Sequence, residues 1–302
     1  MKEVREILKQ VSALADGEKA ILATVVDVRG SGYRLPGARM LILENGDTFG
    51  MVSGGCLEAD VLERAKKVLK SGRAEVFTYD TTNDENSVFS LNMGCRGVIQ
   101  IMLEPVSKDS PLISEMRAAY DSREASENVE PPIAIMLFGA GADAVPLAKI
   151  VSELGWEISV FDHRPAYLTE DRFPTAKSLI PRKHDDTSYA FASDSRTAAV
   201  IMTHNYERDT EILSILLRSD VFYVGALGPK RRTEQLLGEL AASGENFTEE
   251  QLSRLYAPAG LDIGADTPEA IALSIIAEIQ SVMKARDGGH LRNRKGSIYD
   301  RK

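Results

Sequence analysis

The sequence predicts an α/β protein made of two domains, an N-terminal mixed α+β domain and a C-terminal Rossmann-like domain with a doubly wound parallel sheet. Three observations support this. A glycine-rich turn follows a continuous apolar run at residues 133–138, which is typical of a parallel strand covered on both faces. Short strand-like and helix-like segments are mixed before it, and 302 residues are enough for two cores. We expect domains at 1–105 and 133–302, joined by a polar linker at 106–132.

In the N-terminal half, helices and strands are distinguished by the spacing of their apolar residues. Residues 2–15 and 57–69 keep the helical period, so each predicts an amphipathic helix. The strand predictions fall on segments rich in β-branched residues, at 20–28, 40–43, 48–52, 74–79 and 98–103. Asn45 and Gly46 predict a hairpin turn between the second and third of these strands.

In the C-terminal half, Gly139, Gly141 and Ala144 follow the apolar strand in a G-x-G-x-x-A pattern. Gly139 permits a tight turn, and Gly141 lets a phosphate approach the backbone at the N-terminus of the next helix. The following strand ends at Asp162, about 20 residues after Gly141, where an acidic residue could hold ribose hydroxyls. Further strands at 198–202 and 221–224 and helices at 208–218, 231–240 and 268–285 continue the doubly wound pattern.

The chemistry of this glycine turn has two interpretations. Asp143 lies within the turn, where its charge favours the helix dipole but repels a pyrophosphate. His204 follows a predicted strand and precedes Asp209, so it either handles protons or simply caps the strand end. One interpretation is therefore an NAD(P)-dependent oxidoreductase that uses Asp162 and His204. The other is a Rossmann-shaped scaffold without nicotinamide chemistry.

The composition excludes several classes of function. A net charge of −9 disfavours nucleic acid and anionic membranes as partners. No apolar run approaches the roughly 20 residues of a membrane span, and the charged N-terminus does not resemble a signal peptide, so we expect a cytoplasmic protein. Two cysteines without a CxxC motif, and four histidines confined to the second half, disfavour a zinc site.

Both cysteines lie in glycine-rich segments. Cys56, in SGGCLE, is predicted at a helix N-terminus, which favours a thiolate, and the preceding glycines leave its sulfur approachable. Glu58 either shuttles a proton or complements the helix dipole. Cys95, in MGCRG, is next to Arg96, whose charge also favours a thiolate. Each cysteine could instead be a buried structural residue.

Four arginines accompany these segments: Arg29, Arg34, Arg39 and Arg96. Two thiolates with basic glycine loops would suit a soft, anionic metal cofactor that carries a phosphate tail. The alternative is that these arginines are ordinary surface charges.

Several motifs together resemble the XdhC/CoxI family, accessory proteins for the maturation of xanthine dehydrogenase and related molybdenum hydroxylases. They are GSGYRLPGARML, SGGCLE and GCRG in the first half and FGAGADA, THNYERD and GALGPKRR in the second. The order of the motifs makes the resemblance specific, and it covers nearly the whole chain. This sequence departs from the family pattern at Tyr33 and Asp143.

The resemblance implies a function. A member of this family binds the molybdenum cofactor, protects it during sulfuration and delivers it to the apo-hydroxylase, usually as a homodimer, with a sulfurtransferase as a further partner. Cys56 and Cys95 then become candidate contacts to molybdenum. The remaining candidate cofactor-binding residues are Arg34, Arg96, Gly139, Gly141, Asp162 and His204. A purely scaffolding partner of the hydroxylase is a third interpretation.

Overall fold

The chain forms two compact units, Met1–Pro131 and Pro132–Lys302, called unit 1 and unit 2 below. The computed structural model describes residues 2–80, 97–123, 129–182 and 193–295. Within these ranges, no helix is both long enough and apolar enough to cross a membrane.

Unit 1 contains a five-stranded antiparallel sheet in the order β3-β2-β1-β5-β4. Its strands are β1 (Ala20–Gly30), β2 (Arg39–Ile42), β3 (Thr48–Gly50), β4 (Glu75–Asp80) and β5 (Gly97–Val106), and its helices are α1 (Lys2–Ser12), α2 (Glu58–Ser71) and α3 (Pro111–Ser122). The mixed α+β architecture predicted for the first half is confirmed.

The sheet of unit 1 is covered on both faces. Side chains such as Ile21 and Val25 of β1 pack in one core cluster with α2. The alternate residue Leu22 packs in a second cluster with α1 and α3. Because both faces are buried at its start, β1 opens with the apolar run 20–23 although it lies in an antiparallel sheet.

Residues 106–131 of the segment 106–132, for which we predict a linker, belong to unit 1 in the structure. Ile113 and Met116 of α3 are fully buried, and Val129 is 3% exposed in the same core. These apolar residues are few, and polar residues surround them, so composition alone predicts a linker. The helical spacing of Ile113 and Met116 is the feature that places α3 on the sheet.

Unit 2 contains a six-stranded parallel sheet in the order β11-β10-β9-β6-β7-β8. Its strands are β6 (Ala134–Phe138), β7 (Glu157–Asp162), β8 (Ser178–Pro181), β9 (Thr197–Ile201), β10 (Tyr223–Ala226) and β11 (Leu255–Tyr256). Its helices are α4 (Ala144–Glu153), α5 (Tyr206–Arg218), α6 (Lys230–Ala242), α7 (Glu249–Ser253) and α8 (Pro268–Met283). The Rossmann-like prediction is confirmed.

The strand order fixes where a ligand can approach this sheet. The chain adds β7 and β8 on one side of β6, then crosses to add β9, β10 and β11 on the other. The strand order therefore reverses between β6 and β9, which is the switch point where a crevice opens at the carboxyl ends of the strands. Sequence reasoning missed β8 and β11, since strands of 4 and 2 residues carry little periodicity.

Candidate functional site

In unit 1, glycine-containing segments meet at the end of β1. Gly30 pairs with Gly97 in the β1–β5 ladder. A Cβ on Gly97 would lie 2.5 Å from the carbonyl oxygen of Ser31, so only glycine allows this approach. The loop after β1 also reaches the cysteine segment, because a Cβ on Gly54 would lie 3.3 Å from the Tyr33 ring. The fold thus gathers parts of three family motifs at one end of the sheet.

Ser53 and Glu58 hold the cysteine segment in place. One Glu58 carboxylate oxygen accepts a hydrogen bond from the Ser53 backbone N–H at 2.8 Å, and the other accepts one from the Ser53 hydroxyl. The Ser53 hydroxyl oxygen in turn accepts from the N–H groups of Gly55 at 3.2 Å and Leu57 at 3.1 Å. Sequence reasoning weighed Glu58 for proton transfer or the helix dipole and missed this positioning contact.

Cys56 is exposed and lies two residues before α2 begins at Glu58. Its Sγ lies 3.6 Å from the hydroxyl oxygen of Ser53. A thiol in this setting is accessible to a ligand while its backbone is fixed. The predictions for Cys95 and Arg96 fall outside the described residues.

Arg29, Arg34 and Arg39 lie in or beside the loop between β1 and β2, and carboxylates lie close to them. Arg34 forms an ion pair with Glu3 of α1, whose second carboxylate oxygen accepts from the backbone N–H of Arg39 at 2.7 Å. The Arg39 side chain is buried, and this burial lowers the pKa of its guanidinium. Arg29 pairs with Asp27 at 2.9 Å on the surface. Arg34 is therefore ion-paired and Arg39 is buried, whereas Arg29 is an exposed surface charge.

In unit 2, a close backbone approach and hydrogen bonds from within the protein hold the glycine turn in place. Gly139 has φ of +108°, and a Cβ there would collide with the carbonyl group of Met202. The N–H of Ala140 donates to Asp162 Oδ2 at 2.7 Å, and the Arg164 side chain donates to the same carboxylate at 2.9 and 3.0 Å. A ribose hydroxyl, the predicted ligand of Asp162, would have to replace one of these bonds.

Asp162 is ionised because of these contacts. Its side chain is 2% exposed, and burial by itself would raise its pKa. The hydrogen bonds from Arg164 and from the Ala140 N–H outweigh that effect and lower the pKa of Asp162 to about 2.

His204 pairs with the glycine turn rather than with Asp209. Its Nε2 lies 2.8 Å from Asp143 Oδ2, and its backbone has φ of +58°, in the left-handed region. The other oxygen of Asp143 lies 2.5 Å from the position that a Cβ of Gly141 would take. The Asp143 carboxylate therefore lies over the glycine that we predict to meet a phosphate.

Asp209, the partner that sequence reasoning considered for His204, has other contacts. It is 4% exposed, accepts a hydrogen bond from the Thr203 hydroxyl and forms an ion pair with Arg232 at 2.8 Å. This network joins the THNYERD motif to the GALGPKRR motif at the carboxyl edge of the sheet. Lys230 and Arg231 of the second motif are exposed.

A small cavity of about 20 Å³ lies beside the glycine turn, at the switch point between β6 and β9. Two stacked rings, Phe138 and Phe161, line it with centroids 4.8 Å apart. Arg182 and Arg208 add two guanidinium groups. Sequence reasoning did not assign a role to either arginine, although Arg208 lies in the THNYERD motif and at the start of a predicted helix.

The sequence also matches known protein families over most of its length. Residues 13–80 match the XdhC and CoxI family, and residues 135–279 match the XdhC Rossmann domain. A Bacillus subtilis protein, named as a probable subunit of xanthine dehydrogenase, is 31% identical over an alignment that covers 90% of this chain and 95% of the relative. The chain belongs to the XdhC and CoxI family.

Two further relatives of this XdhC and CoxI family member extend the comparison. The molybdenum cofactor insertion chaperone PaoD of Escherichia coli is 26% identical, with 92% of this chain and 88% of PaoD covered. A crystal structure of a protein from Bacillus halodurans, described as a xanthine dehydrogenase, superposes with a TM-score of 0.78 at 29% identity. That superposition covers 95% of this chain and 97% of the other.

The family matches include many of the candidate site residues, although Cys95 and Arg96 lie outside both matched ranges. The XdhC and CoxI match contains Arg34, Cys56 and Glu58. The XdhC Rossmann match contains the glycine turn, Asp162 and His204. The predicted family resemblance is thus confirmed, and the roles of the individual site residues stay predictions.

Proposed function

We propose that this protein binds the molybdenum cofactor as cargo, supports its sulfuration and inserts it into an apo molybdenum hydroxylase. The observation that carries the proposal is the exposed thiol of Cys56 on a segment fixed by Ser53 and Glu58. Family membership and the relationship to a molybdenum cofactor insertion chaperone support the same function.

The geometry around Cys56 suits a transient metal contact. A thiolate is a soft ligand, which favours soft metal and sulfur chemistry over hard-cation binding. Because the thiol is exposed, a bulky anionic complex can reach it and leave again. The hydrogen bonds of Ser53 fix the segment in advance, so less conformational entropy is lost when the cargo binds.

The proposed partners follow from the delivery step. The apo-hydroxylase receives the cofactor, and a sulfurtransferase supplies the sulfur before delivery. The net charge of −9 suits transfer between proteins better than binding to nucleic acid. Arg34 is paired with Glu3, so we assign it the role of holding the loop that faces the cysteine segment.

Anaerobic loading tests the binding step. Purified protein is incubated with the molybdenum cofactor, and bound molybdenum and bound pterin are measured after gel filtration. We expect Cys56→Ser to retain about tenfold less molybdenum, the effect of losing roughly 1.4 kcal/mol of binding free energy. Thr78→Ala, which trims an exposed side chain on β4 of the same unit, is the control and should load like the wild type.

Reconstitution of an apo-hydroxylase tests the delivery step. The loaded wild-type protein should restore hydroxylase activity, and the Cys56→Ser variant should restore much less. If the protein captures the apo-hydroxylase in a pull-down but neither the wild type nor the variant binds cofactor, the protein is a scaffolding partner and the proposal is wrong.

A further inference from the structure

The cavity at the switch point of unit 2 contains two guanidinium groups that the function proposed for unit 1 does not use. We propose that Arg208, with Arg182, forms a binding site for a phosphate group in this cavity, separate from the glycine turn. This inference stands independently of cofactor binding at Cys56.

The position of the cavity is the first argument. It is lined by the end of β6, the end of β7 and the segment that leads from β9 into α5. These segments flank the point where the strand order reverses, and ligands of open parallel sheets bind in the crevice at that point. A group bound there would contact residues from both halves of the sheet.

The charge of the cavity is the second argument. Arg208 is partly buried, and its side chain makes no hydrogen bond or ion pair with any residue in the described part of the chain. The nearby carboxylate of Asp162 is paired with Arg164 at 2.9 Å and so does not neutralise Arg208. A partly desolvated cation without a counterion favours an anion, which would offset the desolvation cost.

The glycine turn is poorly suited to the same anion. The N–H of Ala140, which could meet a phosphate, already donates to Asp162 at 2.7 Å. The carboxylate of Asp143 lies over Gly141 and is held by His204 at 2.8 Å. The Asp143 carboxylate lies where a dinucleotide pyrophosphate would have to approach Gly141, so it would repel that group. Anion binding is therefore expected at the arginines of the cavity and not at the turn.

The shape of the cavity restricts the ligand. About 20 Å³ of enclosed space is roughly the size of one water molecule, so a dinucleotide cannot enter, and a phosphate group would bind at the mouth of the cavity with its oxygens toward the guanidinium groups. Guanidinium groups match the oxygens of a phosphate with paired hydrogen bonds, and Arg182 is positioned over the Phe161 ring at 5.9 Å. The ligand is therefore inorganic phosphate or the terminal phosphate of a larger molecule.

Calorimetric titration of the full-length protein at constant ionic strength tests the site, with inorganic phosphate, AMP and NADH as separate probes. We expect saturable binding of phosphate or AMP to the wild type. Arg208→Gln should weaken it about tenfold or more, as expected when a charge-assisted contact is lost. Tighter binding of AMP than of phosphate would identify a phosphate carried by a larger ligand, and the reverse order would identify free phosphate.

Two variants serve as controls for the position of the site. Arg231→Gln removes the same charge from an exposed position in the first turn of α6 and should leave the affinity unchanged. Asp143→Asn should change the phosphate affinity by less than about twofold, because the turn is not the site. The proposal is overturned if neither phosphate nor AMP binds at millimolar concentration, or if Arg208→Gln and Arg231→Gln weaken binding equally. The proposal is also overturned if NADH binds more tightly to Asp143→Asn than to the wild type while Arg208→Gln leaves the NADH affinity unchanged.

Discussion

At the scale of single residues, Asp162 links the sheet to the glycine turn. Its carboxylate accepts from the backbone of the turn and from Arg164, which follows it in the chain. The residue type and position were predictable from the strand that precedes it, but a ribose contact was the only role that the sequence indicated. In the structure the carboxylate accepts a hydrogen bond from the turn and so stabilises the turn, a role that the sequence did not indicate.

This contact makes the stability of unit 2 depend on pH. The pKa of Asp162 falls from 3.8 to about 2 in the folded protein, so its contribution is present above pH of about 4 and is lost as the pH falls toward 2. We expect Asp162→Asn to lower the free energy of unfolding by about 2 kcal/mol at pH 7, with the difference shrinking below pH of about 4. Fluorescence of Trp156, the single tryptophan, measures this during urea unfolding.

The control for this experiment is Asp171→Asn, which removes an exposed carboxylate in the same unit. Its unfolding curve should follow the wild type at every pH. A constant difference between wild type and Asp162→Asn from pH 7 to pH 2 would show that the ionised carboxylate is not the source of the stability.

At the scale of secondary-structure elements, the long pairing of β1 with β5 positions the segments around Cys56. The register runs from Ala20↔Val106 to Gly30↔Gly97, so the loop that follows β1 starts beside the first residue of β5. Only a residue without a side chain fits at the end of this ladder, because the carbonyl oxygens of Arg29 and Ser31 approach Gly97 closely.

We expect Gly97→Ala to lower the free energy of unfolding of unit 1 by about 2 kcal/mol or more, because the new Cβ would lie 2.5 and 2.6 Å from two backbone oxygens. Thermal unfolding followed by far-UV circular dichroism measures the change. Gly238→Ala, in the middle of α6 where a Cβ meets nothing within 4 Å, should instead stabilise the protein by about 0.5–1 kcal/mol. Similar effects of the two substitutions would contradict the close approach at Gly97.

At the scale of the whole molecule, each unit has its own hydrophobic core. Among the described residues, two core clusters belong to unit 1 and two to unit 2. The division falls after Pro131, because α3 covers the same face of the first sheet as α1. Each unit is expected to fold when it is expressed alone.

Truncation locates the boundary. We expect a fragment of residues 1–131 to unfold cooperatively, and a fragment of residues 1–105 to be less stable by roughly 5 kcal/mol. The shorter fragment loses the buried side chains of Ile113 and Met116 and exposes the apolar face of α1. Circular dichroism with urea compares the two. Equal midpoints would show that α3 adds nothing to the core and that the linker prediction describes this segment better.

The sequence by itself determined the parts of this protein that depend on local patterns. Helical spacing and β-branched runs predicted both α and β elements, and the G-x-G-x-x-A turn predicted the parallel sheet, because backbone conformation responds to nearby residues. Glycine spacing also identified the exposed segment of Cys56. The order of the motifs was enough to identify the family.

Only the tertiary structure decided which side chains meet. Glu3 and Arg34 are 31 residues apart, Asp162 and Ala140 are 22 apart, and Asp143 and His204 are 61 apart. No local pattern encodes such pairs, since the first forms when α1 packs beside the loop after β1, and the other two form when separate strands end at the same edge of a sheet. The same reason applies to the cavity of Arg182 and Arg208, where the order of the strands, and not the composition of any one segment, creates the site.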